Sequence, residues 1–166
     1  MPEFEENSYA VTEHGEEVSG KNVTIVLIED DPGHARLIEK NLRRSNVNNK
    51  IIVLDNGRKG LDFLFSEGEY EGQSPPTSML VLLDLNLPVL TGYQLLERVK
   101  SDPVKKKIPI VILTTTNEER EIKKCYELGC NVYVTKPVEY DLFIEAIKKL
   151  GLFLSIVDIP AGANGV

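Results

Sequence analysis

Apolar positions in this chain come in short continuous blocks separated by longer mixed segments. Val23–Ile28, Ile51–Leu54, Met79–Leu83, Ile110–Leu113 and Val132–Val134 are runs rich in Val, Ile and Leu. Such runs read as strands buried on both faces of a parallel sheet. The segments between them repeat apolar residues at helical spacing: Ala35, Leu37, Ile38 and Leu42; Leu61, Leu64 and Phe65; Leu95, Leu96 and Val99. Pro32 suits a first helical turn, and the spacing predicts helices over Tyr93–Lys100 and Asn117–Leu128. Asp102-Pro103 ends the first of these, Gly129 fits a left-handed cap on the second, and a last helix begins near Tyr140.

Strand and helix therefore alternate five times, which predicts an α/β fold with helices on both faces of an open, doubly wound parallel sheet. The flavodoxin-like strand order 2-1-3-4-5 is the arrangement expected. Ser66–Ser78, with Gly68, Gly72, Pro75 and Pro76 among Glu and Ser, reads as an inserted surface loop. Residues 1–21 form an acidic, glycine-containing leader expected to be a mobile tail, residues 22–150 one domain, and residues 151–166 a C-terminal extension of the last helix.

Composition narrows the function classes. With 19 basic and 26 acidic side chains the net charge is −7, which disfavours nucleic-acid binding. Met1–Lys21 lacks the basic and apolar stretches of a signal peptide or membrane span, so a cytoplasmic protein is expected. Cys125 and Cys130 lie apart from any histidine cluster, against a zinc site or disulfide framework.

In doubly wound sheets ligands sit beyond the carboxyl ends of the strands. The residues there are Glu29, Asp30, Asp84, Thr114 and Lys136. With the first and third strands adjacent, Glu29, Asp30 and Asp84 would share one pocket, and their mutual repulsion calls for a hard divalent cation with oxygen ligands. Mg²⁺ suits such a site. Pro137 favours an extended backbone at Lys136 and so aims its side chain across the strand ends. A carboxylate nucleophile, a metal site, a hydroxyl and a lysine are the parts that phosphoryl transfer to an aspartate requires. The plainer alternative is that Glu29-Asp30-Asp31 caps a helix and Asp84 opens a turn.

Ile28-Glu29-Asp30-Asp31-Pro32, Leu83-Asp84-Leu85-Asn86-Leu87-Pro88, Thr114 and Tyr133-Val134-Thr135-Lys136-Pro137, in that order, resemble the response-regulator receiver family over about Val23 to Leu150. The resemblance implies a phosphorelay protein whose Asp84 accepts a phosphoryl group from a histidine kinase. It implies Mg²⁺, with Mn²⁺ as a substitute, on Glu29, Asp30, Asp84 and the main-chain carbonyl of Asn86. Lys136 and Thr114 would contact the phosphoryl group, and Tyr133 would be coupled to Thr114 as a switch. The long Ser66–Ser78 connection, and Glu29 where many members carry Asp, depart from the usual pattern. The loop and the apolar last helix look like the single-domain regulators partnered with phytochrome-type histidine kinases.

Phe143, Ile147, Leu150, Leu154 and Val157 form one stripe of that helix, and Leu152, Phe153, Ile156 and Ile159 extend its apolar surface beyond what a single sheet face can cover. A homodimer through the last helix is expected. No apolar segment able to form an output domain follows, so the output is expected to lie in another protein. Three alternatives stand beside this reading. A haloacid-dehalogenase-like phosphohydrolase would want a second Asp where Asn86 stands, and a nucleotide or flavin module lacks its Gly-rich cradle. The third is a phosphorylation-independent interaction module. His14 and His34 read as ordinary surface histidines.

Overall fold

The computed structural model describes residues 23–156. Five strands, β1 (Thr24–Ile28), β2 (Ile51–Leu54), β3 (Met79–Leu83), β4 (Ile110–Thr114) and β5 (Val132–Thr135), alternate with five helices. These are α1 (Pro32–Arg44), α2 (Gly57–Phe65), α3 (Gly92–Lys100), α4 (Glu119–Leu128) and α5 (Tyr140–Ile156). The sheet is parallel throughout in the order β2-β1-β3-β4-β5, as expected.

Every residue of β1, β3 and β4 is buried, the physical reason these strands read as unbroken apolar runs. Alternate side chains enter opposite cores. Val26, Ile28, Val81, Leu83 and Ile112 pack with Leu64, Leu95, Leu96, Val99 and Cys125 from α2, α3 and α4. Ile25, Leu27, Leu80, Leu82, Val111 and Leu113 pack with Ile38, Leu42, Phe143, Ile147 and Leu150 from α1 and α5. Each fully buried Leu or Ile contributes about 1.5–3 kcal/mol relative to exposure.

Local chemistry sets the helix ends. Asp31 caps α1 by accepting the His34 N–H at 3.0 Å, with Pro32 opening the helix. Asn56 caps α2, and Thr91 with Gln94 forms a capping box on α3. Helix α3 takes in Gly92, one residue before the predicted start. Helix α4 begins at Glu119 rather than Asn117, because Glu118 keeps an extended backbone (φ −69°, ψ 128°) and no side chain caps the turn. Gly129 closes α4 at φ 107°, the left-handed cap its position predicts.

The Ser66–Ser78 connection holds a 3₁₀ turn, Gly68–Tyr70, anchored by the Tyr70 ring standing edge-on to Phe63 with centroids 5.3 Å apart. Helix α5 continues through Gly151, where a Cβ would come within 2.6 Å of Ser45 Cβ at the end of α1. Phe143, Ile147 and Leu150 are buried as the predicted stripe requires, and Leu154 packs at its margin. The leader, Val157 and Ile159 lie outside the described residues. Cys125 and Cys130 are buried free thiols.

Candidate functional site

Register builds the site. Ile28 pairs with Leu83, so the next residue of each strand, Glu29 and Asp84, emerges side by side at the carboxyl edge. Thr114 ends β4 and Lys136 follows β5. The Lys136 N–H donates to the Thr114 carbonyl at 2.6 Å, fixing where its side chain starts. All four side chains are buried: Glu29 and Lys136 are 2% exposed, Asp84 8% and Thr114 0%.

Lys136 Nζ donates to Asp84 Oδ2 at 3.0 Å and, in a shorter contact, to Glu29 Oε2. Asp84 Oδ1 accepts the Thr114 hydroxyl and the Asn86 N–H, each at 3.0 Å. Glu29 Oε1 accepts the Asp31 N–H at 3.2 Å. Burial pushes the Glu29 carboxyl up to about 7 even with the Lys136 ammonium against it, so one lysine does not fully compensate the buried charge.

The donors suit a cation. One carboxylate oxygen from each of Glu29, Asp30 and Asp84 lies within 4.8 Å of the others, two of the residues buried and Asp30 open to solvent. An all-oxygen anionic set with one exposed member fits a hard divalent ion that keeps part of its water.

A family model described as the response regulator receiver domain matches residues 25–148. The chain belongs to the receiver-domain family. Response regulator Rcp1 of Synechocystis sp. is 36% identical over 138 residues, covering 82% of this chain and 92% of Rcp1. The Mn²⁺-bound structure of Rcp1 superposes with a TM-score of 0.77 at 35% identity, covering 84% of this chain and 99% of that one. A receiver domain from Rhodospirillum rubrum gives 0.77 at 53% identity, again over 84% and 99% of the two chains. The phosphorylated cyanobacterial phytochrome response regulator RcpA gives 0.76 at 36% identity, with the same coverage. This receiver domain is thus a response regulator related to phytochrome regulators, and the hydrolase and nucleotide-module alternatives fall away.

Of the strand-end residues singled out in the sequence, Glu29, Asp30, Asp84, Thr114 and Lys136 all converge in the receiver site. Asn86 is exposed, and its side-chain amide reaches Thr114 Oγ1 only at 3.5 Å. Tyr133 is half-buried, and its hydroxyl donates to the Thr116 carbonyl in the loop before α4 at 2.6 Å. Leu152 is 63% exposed. Phe153 and Ile156 belong to α5, while Ile159 is beyond the described residues.

Two neighbours escaped the sequence reading. His34, read as an ordinary surface histidine, is partly exposed yet puts its Nδ1 3.8 Å from Glu29 Oε1, and its ring leans on Phe143 with centroids 5.5 Å apart. Its place one helical turn after the acidic strand end was the available signal. The other is Tyr93 on α3, whose hydroxyl donates to Glu121 on α4. Nothing in the linear pattern marks that pair.

Proposed function

We propose that Asp84 is the phosphoacceptor of this receiver, charged by a partner histidine kinase of the phytochrome type. The observation that carries the reading is the convergence of Lys136 and Thr114 on the two oxygens of the Asp84 carboxylate. In the transfer, an Asp84 oxygen forms a bond to phosphorus as the bond from phosphorus to the donor imidazole breaks, and the imidazole keeps the electron pair. Lys136 then faces the phosphoryl oxygens with its ammonium and Thr114 with its hydroxyl. Glu29, Asp30, Asp84 and the main-chain carbonyl of Asn86 would hold Mg²⁺, or Mn²⁺ in its place. When bound, the ion supplies charge neutralisation for the carboxylates and the incoming phosphoryl group.

On this reading the protein catalyses only its own phosphorylation and dephosphorylation, works in the cytoplasm and signals to another protein rather than to nucleic acid. No helix among the described residues is long and apolar enough to cross a membrane. Tyr133 serves as the switch coupled to Thr114, supported by its bond to the loop that follows Thr114. Exposed Leu152 supports a homodimer through α5, with Phe153, Ile156 and Ile159 as further interface candidates.

The test is intact-mass measurement after incubation with acetyl phosphate and Mg²⁺. One phosphoryl adduct that needs Mg²⁺ and is lost in Asp84→Asn is expected; an unmodified native chain would overturn the reading in favour of a phosphorylation-independent interaction module. Gel filtration across a wide concentration range tests the dimer, which a constant monomer elution would sink.

A further inference from the structure

Helix α4 buries fewer residues than α1, α2 or α3, with Leu128 only partly buried against the core. Of its residues, all among those described, Cys125 alone is buried, and its N-terminus has no side-chain cap. Elements with so little buried area open at low cost unless polar contacts restrain them. Here the restraints come from tyrosines. Tyr133 ties its hydroxyl to the Thr116 carbonyl at 2.6 Å, and its own N–H donates to the Tyr126 hydroxyl at 3.1 Å.

The further restraint comes from α3. Glu121 and Lys124, one turn apart on α4, clasp Tyr93 between them. The carboxylate accepts the Tyr93 hydroxyl, and the ammonium lies 4.4 Å from the ring centroid. Tyr93 is also coupled to the acceptor strand. The preceding Gly92 donates its N–H to Leu85 at 3.0 Å, and a Cβ on Gly92 would come within 2.2 Å of the Asp84 carbonyl. The start of α3 thus rests directly on the backbone of Asp84.

We infer that Tyr93 is a positioning residue that latches α4 through Glu121, in parallel with the Tyr133 tether, so that losing the latch alone loosens α4 and losing both frees it further. The inference rests on the proposed role of Asp84 for its signalling consequence, while the latch itself is a property of the unmodified chain. A charge-assisted bond of this kind makes the closed arrangement sensitive to a single hydroxyl.

The experiment is hydrogen exchange by mass spectrometry on the full chain, following peptides over residues 115–128 before and after acetyl phosphate. In the unmodified protein, Tyr93→Phe is expected to speed exchange of α4 by about fivefold while β1 and α1 stay unchanged. Glu121→Ala should match it, and the double variant should exchange no faster than either single one. Glu121→Gln, which keeps an acceptor, should restore near-native exchange. After phosphorylation the native chain should gain exchange in α4, and Tyr93→Phe should gain less, having lost part of the restraint already. Unchanged α4 exchange in both single variants, or additive effects in the double one, overturns the latch. A native chain that takes up no phosphoryl group would instead overturn the reading of Asp84, and the unmodified variants would still decide the latch.

Discussion

The Thr114 hydroxyl donates to Asp84 Oδ1 across 3.0 Å, and both side chains are buried. The bond joins the ends of two neighbouring strands, so a change at the Asp84 carboxylate has a direct path to β4 and the loop leading into α4. Thr114→Val keeps the shape and removes the donor. It is expected to take the phosphoryl group at Asp84 while losing most of the resulting change in α4. Parallel intact-mass and hydrogen-exchange measurements check this, and an undiminished α4 response would remove Thr114 from the switch.

Lys136 is the cation that lies against Glu29 and Asp84 together. Removing one partner of a buried ion pair leaves uncompensated charge and costs about 3–5 kcal/mol. Lys136→Met is therefore expected to lose stability of that order in EDTA, and saturating Mg²⁺ should narrow the gap to the native chain by offsetting the same carboxylates. Urea unfolding with and without Mg²⁺ reads both effects. Equal losses in the two buffers would argue against a cation site on these residues.

A Cβ added at Gly92 would fall 2.2 Å from the Asp84 carbonyl oxygen and 2.6 Å from Leu85 Cα, both main-chain atoms of a buried segment. Neither atom can yield without moving the backbone at Asp84 and Leu85 that follows β3. Gly92→Ala is expected to cost about 2 kcal/mol or more in urea unfolding and to slow labelling of Asp84 by acetyl phosphate. Full stability in the variant would show that this backbone can shift.

Asp102 accepts the N–H groups of Lys105 at 2.8 Å and Val104 at 2.9 Å, and these bonds hold its carboxyl below the usual carboxylate range. A carboxyl with a depressed folded-state pKa adds stability above its unfolded value and loses it as pH falls through the folded one. Asp102→Asn should therefore melt lower than the native chain at neutral pH, with the gap closing in acid. Calorimetry across that range gives the test; a gap that widens in acid would contradict the sign.

The sheet was legible in the sequence because β1, β3 and β4 are buried on both faces, which leaves only the terminal Thr24 and Thr114 as polar positions in them. The site was legible for a related reason: a parallel sheet gathers strand ends, so Glu29, Asp84, Thr114 and Lys136 could be found by looking just past each apolar run. The start of α4 was not, since Thr116 and Glu118 carry no capping bond and polar residues fit loop and first turn equally well. Nor was the Tyr93 contact with Glu121, because residues 28 apart meet there only through the way α3 lies against α4. Of the α5 residues expected at a dimer interface, Leu152 is exposed, while the side chains of Phe153 and Ile156, and Ile159 altogether, lie outside the described residues.

Glu29 and its lysine are 107 residues apart in the chain, and that lysine follows β5, an edge strand of the sheet. During synthesis the two carboxylates can come together as soon as β1 and β3 pair, yet the neutralising ammonium arrives only after the last strand has docked. A chain whose last strand has not docked therefore holds Glu29 and Asp84 together without the ammonium that lies against both. If Asp84 is the phosphoacceptor proposed above, completion of folding and readiness to receive a signal would then be the same event.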